Sequence, residues 1–266
     1  MERDAKKKAK LVLVVDDEAT VCKSVRRILE REHLEVDEAL SGKEALDMLD
    51  KKPYGVVITD MMMPGIGGMD LIQMIKEKRP EVSVIMITGY ATIKTAVQAM
   101  KLGAFDYIPK PFTPEELSGV TVRAIERMKL YLEEEKEEVK KPKKEVEKGK
   151  GRYYILEHSW ALIEDDGTVR IGMDDIFQKT AGDIINLDLP FEGDMIEQGR
   201  VCVRVTSTGL KIHKVWSPVT GKVIEVNEEL NRDASLANKD PYGKGWLVRV
   251  RPTALEEELD DLVLLK

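Results

Sequence analysis

Apolar residues in the first half of the chain fall into short continuous runs, separated by stretches with helical spacing. Leu11–Val15 is an unbroken β-rich run, as expected for a strand buried on both faces. Val21, Val25, Ile28 and Leu29 then recur at three- and four-residue intervals, which predicts an amphipathic helix. A half-polar strand follows at Glu35–Ala39, then a helix with Ala45, Met48 and Leu49 on one face and Ser41 as its cap. Gly55–Thr59 reads as the third strand, Met61–Gly68 as a Gly- and Pro-containing loop, and Met69–Lys78 as a helix ended by Pro80. Val82–Ile87, Thr92–Leu102 and Phe105–Ile108 continue the alternation as strand, helix and strand. A last helix opens near Thr113 and Pro114, with proline in its first turn. Five such strand–helix repeats predict an α/β unit: a doubly wound, five-stranded parallel sheet.

That last helix is expected to run past its domain, because Leu117, Thr121, Ala124, Met128 and Tyr131 keep a loose 3–4 spacing. Beyond it the pattern vanishes: residues 133–150 hold seven Glu and seven Lys, broken by Pro142 and Gly149. We read residues 129–151 as a charged helical or flexible linker, with a short coiled-coil contact as the alternative. From Arg152 the texture is all-β. The runs Tyr153–Leu156, Trp160–Ile163, Thr168–Ile171, Ile184–Leu189, Val201–Val205, Lys222–Val226 and Trp246–Val250 are separated by Gly, Pro, Asp and Asn. They predict a small antiparallel sandwich or flattened barrel, with one helix at Met173–Ala181 and an acidic tail helix at Ala254–Leu265.

Composition narrows the function classes. A length of 266 residues accommodates two ordinary domains, and a net charge of −7 argues against a nucleic-acid partner, which calls for clustered Lys and Arg. Cys22 and Cys202 stand alone, outside any zinc-ligand spacing, which fits a reducing compartment. Residues 1–10 form a basic tail with no signal-peptide core behind it, and no apolar run reaches membrane-spanning length, so no membrane insertion and a cytoplasmic location are expected.

Candidate chemistry sits where the first-half runs end. Asp16 and Asp17, Asp60, Thr88, Tyr107, and Lys110 with Pro111 each fall at or just past such an end. In open parallel sheets, functional groups gather beyond the carboxyl ends of the strands, so these residues should converge on one acidic pocket. Three carboxylates that close repel one another unless a hard cation lies among them, and a small oxygen site suits Mg²⁺. Each residue alone is ordinary, since an Asp after a strand is usually a turn former and a strand-end Thr or half-buried Tyr is commonplace. The set is not ordinary. Val15-Asp16-Asp17-Glu18, Asp60-Met61-Met62-Met63-Pro64-Gly65, Ile87-Thr88-Gly89-Tyr90 and Tyr107-Ile108-Pro109-Lys110-Pro111-Phe112 together resemble the receiver domain of two-component response regulators, over residues 11–128.

The resemblance implies a flavodoxin-like fold in a bacterial phosphorelay. It makes Asp60 the phosphoacceptor, Asp16, Asp17, Asp60 and the Met62 backbone carbonyl the Mg²⁺ site, and Asp17 rather than Asp16 a direct ligand. Lys110 and Thr88 would contact the phosphoryl group, Thr88 and Tyr107 would form the switch, and a cis peptide would precede Pro111. The implied partners are a sensor histidine kinase or a phosphotransfer protein, with a homodimer through the surface of residues 92–128. No enzymatic activity beyond phosphorylation and dephosphorylation of Asp60 is expected.

Residues 152–266 resemble the H protein of the glycine cleavage system, a lipoyl-carrier β-sandwich. The residues that carry this are Glu157-His158-Ser159-Trp160, Val169-Arg170-Ile171-Gly172, Gly182-Asp183-Ile184, Ser217–Val223, Glu225-Val226-Asn227 and Asn238–Leu247. Family members carry Glu-Ser-Val-Lys-Ala at a hairpin tip, where the lysine takes lipoate. Counting back from Ser217-Pro218 without gaps puts Leu210 at that lysine position, with Lys211 one residue late and on the opposite face of a strand. Lipoate is therefore not expected, and the second domain reads as a protein-binding output module with an unknown partner. A lipoyl carrier regulated by phosphorylation is the alternative. His158 and His213 are assigned surface or packing roles, not a metal site.

Overall fold

The computed structural model describes residues 11–90, 92–138 and 151–265. The basic tail and the linker beyond Glu138 lie outside the described residues, as does the coiled-coil alternative there. The chain divides into two compact units, with the division between Lys143 and Lys144.

The first unit runs β1 (Leu11–Val15), α1 (Ala19–Glu30), β2 (Glu35–Ala39), α2 (Gly42–Leu49), β3 (Val56–Asp60), α3 (Gly68–Lys78), β4 (Ser83–Thr88), α4 (Ile93–Lys101), β5 (Asp106–Pro109) and α5 (Pro114–Glu138). Its five strands are all parallel, in the order β2-β1-β3-β4-β5. Order reverses beside β1, so the switch point lies between β1 and β3. Every residue of β1, β3 and β4 is buried, which explains their continuous apolar runs. Val12, Val14, Ile58, Ile85 and Ile87 pack with Val25 and Leu29 of α1 and with Leu117, Ala124 and Met128 of α5. The alternate positions Leu13, Val57 and Met86 are also buried and serve the opposite face, where α2 to α4 bury Leu49, Leu71, Ile72, Ile75, Ala96 and Ala99. Ser41 caps α2 as expected, accepting from the Glu44 N–H. Asp60 differs slightly from expectation: it closes β3 as its last residue instead of following it.

The second unit contains β6 (Arg152–Ile155), β7 (Ser159–Ile163), β8 (Val169–Met173), α6 (Asp175–Ala181), β9 (Ile184–Asp188), β10 (Met195–Ile196), β11 (Val201–Ser207), β12 (Lys211–Trp216), β13 (Gly221–Val226), α7 (Glu229–Arg232), α8 (Leu236–Lys239), β14 (Val248–Pro252), α9 (Leu255–Leu259) and β15 (Val263–Leu265). A seven-stranded sheet, β10-β13-β14-β8-β7-β6-β15, accompanies a three-stranded sheet, β12-β11-β9. Ile171, Met173, Val203, Val205, Val215, Val223, Val248 and Val250 form the shared core between them.

Two expectations are corrected here. The tail is not one helix over residues 254–265: α9 stops at Leu259, and Val263–Leu265 pairs antiparallel with Tyr154, Tyr153 and Arg152 of β6. Asp260 and Asp261 oppose the dipole at a helix C-terminus, while Val-Leu-Leu suits a sheet edge. Lys211–Trp216 is a strand that hydropathy missed, because its inward positions include His213 as well as Val215. Of the two roles open to His158 and His213, the structure gives packing: both are buried about Phe177, with ring centroids 5.8 and 6.3 Å from it. Both cysteines are free and buried; burial pushes the Cys22 thiol up to about 11 and the Cys202 thiol to about 12, so both are unreactive near neutral pH. Among the described residues, no helix is long and apolar enough to cross a membrane.

Candidate functional site

β1 and β3 are neighbours with Val15 opposite Thr59, so the next residues, Asp16 and Asp60, leave the sheet side by side. β4 and β5 pair Thr88 with Pro109, which brings Lys110 to the same edge, and the Lys110 N–H donates to the Thr88 carbonyl at 2.8 Å. The Lys110-Pro111 peptide is cis. Lys110 Nζ donates to Asp60 Oδ1 at 2.7 Å and to Asp16 Oδ2 at 2.9 Å. One ammonium thus bridges two buried carboxylates. Burial works against the lysine's charge, but its hydrogen bonds to Asp60 and Asp16 outweigh that and hold its pKa above the ordinary value.

The remaining oxygens are also held. Asp60 Oδ2 accepts from the Met62 N–H at 2.6 Å, and Asp16 Oδ1 from the Glu18 N–H at 2.9 Å. Thr88 is fully buried, and its Oγ1 accepts from the Tyr90 N–H at 3.1 Å. Asp17 is exposed at the rim, as is the Met62 side chain. Tyr107 is buried, with its hydroxyl 2.9 Å from Thr95 Oγ1 on α4; burial above all raises its pKa. The structure therefore gathers Asp16, Asp60, Lys110 and Thr88, with Asp17 and Met62 beside them and Tyr107 one element away.

Among the described residues, no three His, Cys, Asp or Glu side chains converge as a metal set. The donors present are nonetheless hard oxygens: the Asp16 and Asp60 carboxylates, with Asp17 and the Met62 carbonyl adjacent. Mg²⁺ commonly takes only one or two protein carboxylates and keeps several waters, so this donor set fits it.

Sequence reasoning missed two supports of the site. Gly68 N–H donates to the Met61 carbonyl, and a β-carbon at Gly68 would stand 2.3 Å from the Asp60 carbonyl oxygen. Only glycine lets α3 approach the back of the Asp60 strand so closely. The second is a buried ion pair. Arg123 on α5 is fully buried, pairs with Asp106 on β5, and stacks 4.6 Å over the Phe105 ring. Asp106 Oδ1 in turn accepts from the Tyr107 N–H at 2.7 Å. A charged residue preceding Tyr107 in an otherwise apolar strand was the available signal.

In the second unit, β11 and β12 form a hairpin with Ser207 opposite Lys211. Thr208, Gly209 and Leu210 make the turn, closed by the Leu210 N–H on the Ser207 carbonyl at 3.1 Å. Gly209 has φ of 80°, which suits glycine. Leu210 stands at the tip, as the gap-free count expects, and Lys211 is the first residue of β12.

Asp174 and Asp175 lie adjacent and buried beside Tyr154, Tyr242 and Arg152. Asp174 caps α6 through the Ile176 N–H and also accepts from the Glu157 N–H, while Asp175 accepts from Lys179 and Tyr242. Burial first, and then Asp175, push the Asp174 carboxyl from 3.8 up to about 7. The folded unit therefore keeps a proton that the unfolded chain releases. This contribution to stability is present below about pH 4 and is lost as pH rises through 7. Thermal unfolding of the second unit is expected to move to lower temperature between pH 5 and 8, and Asp174→Asn should flatten that slope. An unchanged slope in the variant would refute the assignment.

A doubly wound sheet with two carboxylates and a lysine at its switch-point edge defines a receiver-type module, and a β-sandwich accompanies it. Comparison with known proteins agrees. The family profile described as response regulator receiver domain matches residues 12–121, and that described as glycine cleavage H-protein matches residues 152–266. A probable glycine cleavage system H protein of Pyrococcus abyssi is 44% identical over 113 residues, 42% of this chain and 83% of that protein. A receiver domain protein from Clostridium thermocellum is 41% identical, with 46% of this chain and 98% of that chain covered and a TM-score of 0.44. An H protein from Mycobacterium marinum is 33% identical, with 39% and 84% covered and a TM-score of 0.37. The chain belongs to the glycine cleavage H-protein family in its second half and carries a response regulator receiver domain in its first.

Proposed function

We propose that the protein is a response regulator of a two-component phosphorelay whose output is an unlipoylated H-protein-like binding module. The observation that carries the first half is the sharing of Lys110 by Asp60 and Asp16 at the sheet edge. An Asp60 carboxylate oxygen attacks the phosphorus of a phosphohistidine on a sensor kinase or phosphotransfer protein. The P–N bond breaks, the imidazole leaves, and an acyl phosphate forms on Asp60. Mg²⁺ held by Asp16, Asp17, Asp60 and the Met62 carbonyl would neutralise charge on the phosphoryl oxygens. Lys110 exchanges its Asp60 contact for a phosphoryl oxygen, as a point cation already in place. Thr88 turns its hydroxyl to the same group.

The new group adds about −1.5 to −2 charges. As Thr88 is drawn to it, the contacts among Tyr107, Thr95 and the Asp106–Arg123 pair rearrange, and the surface of α4, β5 and α5 changes. Homodimerisation through residues 92–128 is the readout we assign to that surface. No catalysis beyond gain and loss of the Asp60 phosphoryl is assigned.

For the second unit, the deciding feature is Leu210 at the tip, since an alkyl side chain offers no amine to acylate. Identity of 44% to a protein named as an H protein, and an amine one residue away on Lys211, favour the carrier reading instead. Co-expression with a lipoate ligase separates them. We expect Lys211 to be recovered unmodified by peptide mapping; a lipoyl adduct there would replace the binding-module reading with the carrier one.

A further inference from the structure

The loop between β4 and α4 is held at both ends by a threonine hydroxyl. At its start, Thr88 Oγ1 accepts from the Tyr90 N–H at 3.1 Å. At its end, Thr92 caps α4 and Thr95 answers it. The Thr95 N–H donates to Thr92 Oγ1 at 3.1 Å, and Thr95 Oγ1 accepts from the Thr92 N–H at 3.0 Å. Glu or Gln is the usual answering residue in such a capping box. The shorter Thr95 sets its hydroxyl beside the buried Tyr107, 2.9 Å from the phenol oxygen.

A proton count gives that contact its direction. Thr95 has one hydroxyl proton, which goes to the Thr92 carbonyl at 2.9 Å. Thr95 Oγ1 therefore accepts and the Tyr107 phenol donates. Tyr107 is only 3% exposed, so its ring is already inward and what can still change is the partner of its hydroxyl. The two ends of the loop are tightly linked, because Tyr90 and Thr92 are two residues apart, a tether of at most about 7 Å. When Thr88 turns from the Tyr90 N–H to a phosphoryl oxygen on Asp60, that N–H loses its acceptor. The pull reaches Thr92, whose carbonyl and N–H both hold the Thr95 hydroxyl.

We propose that Thr95 is a brake on the receiver: its contact with Tyr107 ties the N-terminus of α4 to β5, and this latch must open before Thr88 can serve Asp60. Thr95 touches no reacting atom and acts through Tyr107, so it is a positioning residue. The proposal rests on the reading of Asp60 as phosphoacceptor and adds the regulation of that site. Latched and open arrangements are two states, and the rate of phosphorylation follows the fraction that is open.

The test is the rate at which the full chain takes a phosphoryl group from a small acyl phosphate with Mg²⁺, followed by intact mass at limiting donor. Thr95→Val keeps the shape of the side chain and removes its hydroxyl. It is expected to label about 2- to 10-fold faster, the scale of one hydrogen bond. Tyr107→Phe should gain a similar factor, and the double variant about the same factor once, because both changes remove one shared bond. Thr95→Ser, which keeps the hydroxyl, should label at the wild-type rate. Misfolding slows labelling, so a gain that serine cancels does not come from it. Labelling of Thr95→Val at or below the wild-type rate overturns the proposal. So does a double variant whose gain is the full product of the two single gains, or a serine variant that behaves like valine. A wild type that takes no phosphoryl group overturns the Asp60 reading and the brake with it. A wild type that labels while Thr95→Val changes nothing overturns the brake alone.

Discussion

Asp60→Asn is expected to take no phosphoryl group from a small acyl phosphate in the presence of Mg²⁺, whereas the wild-type chain gains one. Asparagine keeps the side-chain carbonyl that faces Lys110 and preserves the length of the β3 terminus, so the fold should survive. What disappears is the anionic oxygen that attacks phosphorus. Intact mass before and after treatment reads the difference directly. Equal labelling of both proteins would remove Asp60 from the reaction and place the nucleophile elsewhere.

The second large effect is structural. Arg123→Met is expected to destabilise the receiver unit by about 3–5 kcal/mol, because it removes the buried cation paired with the Asp106 carboxylate. Replacing both partners, Arg123→Met with Asp106→Asn, should recover much of that loss. The asparagine amide is neutral, and its carbonyl still accepts from the Tyr107 N–H. Urea titration of the receiver transition compares the two. If the single and double variants lose equal stability, the cost arises from packing around Phe105 and not from the broken ion pair.

Most of the receiver was legible because its strands are buried on both faces and its motifs fall at strand ends. Periodicity and loop composition placed β1, β3 and β4 to within a residue, and Asp16, Asp60, Thr88 and Lys110 followed from topology. What pattern could not supply was distance. Nothing in the chain says that Lys110 already spans both carboxylates, or that Asp17 stays exposed while Asp16 is buried. The Asp106–Arg123 pair was invisible for a similar reason, since its partners lie 17 residues apart on a strand and a helix. In the second unit, β12 was missed because a histidine occupies a core position, and β15 because three apolar residues after an acidic run read as helix. The hairpin tip was legible by counting alone, as no insertion separates Leu210 from Ser217.

Phosphorylation and lipoylation are read together by intact mass of the full chain, co-expressed with a lipoate ligase and then treated with a small phosphodonor and Mg²⁺. A single added phosphoryl group, absent from Asp60→Asn, and no lipoyl mass are expected. A lipoyl adduct on Lys211, or a phosphoryl group that persists without Asp60, would contradict that expectation.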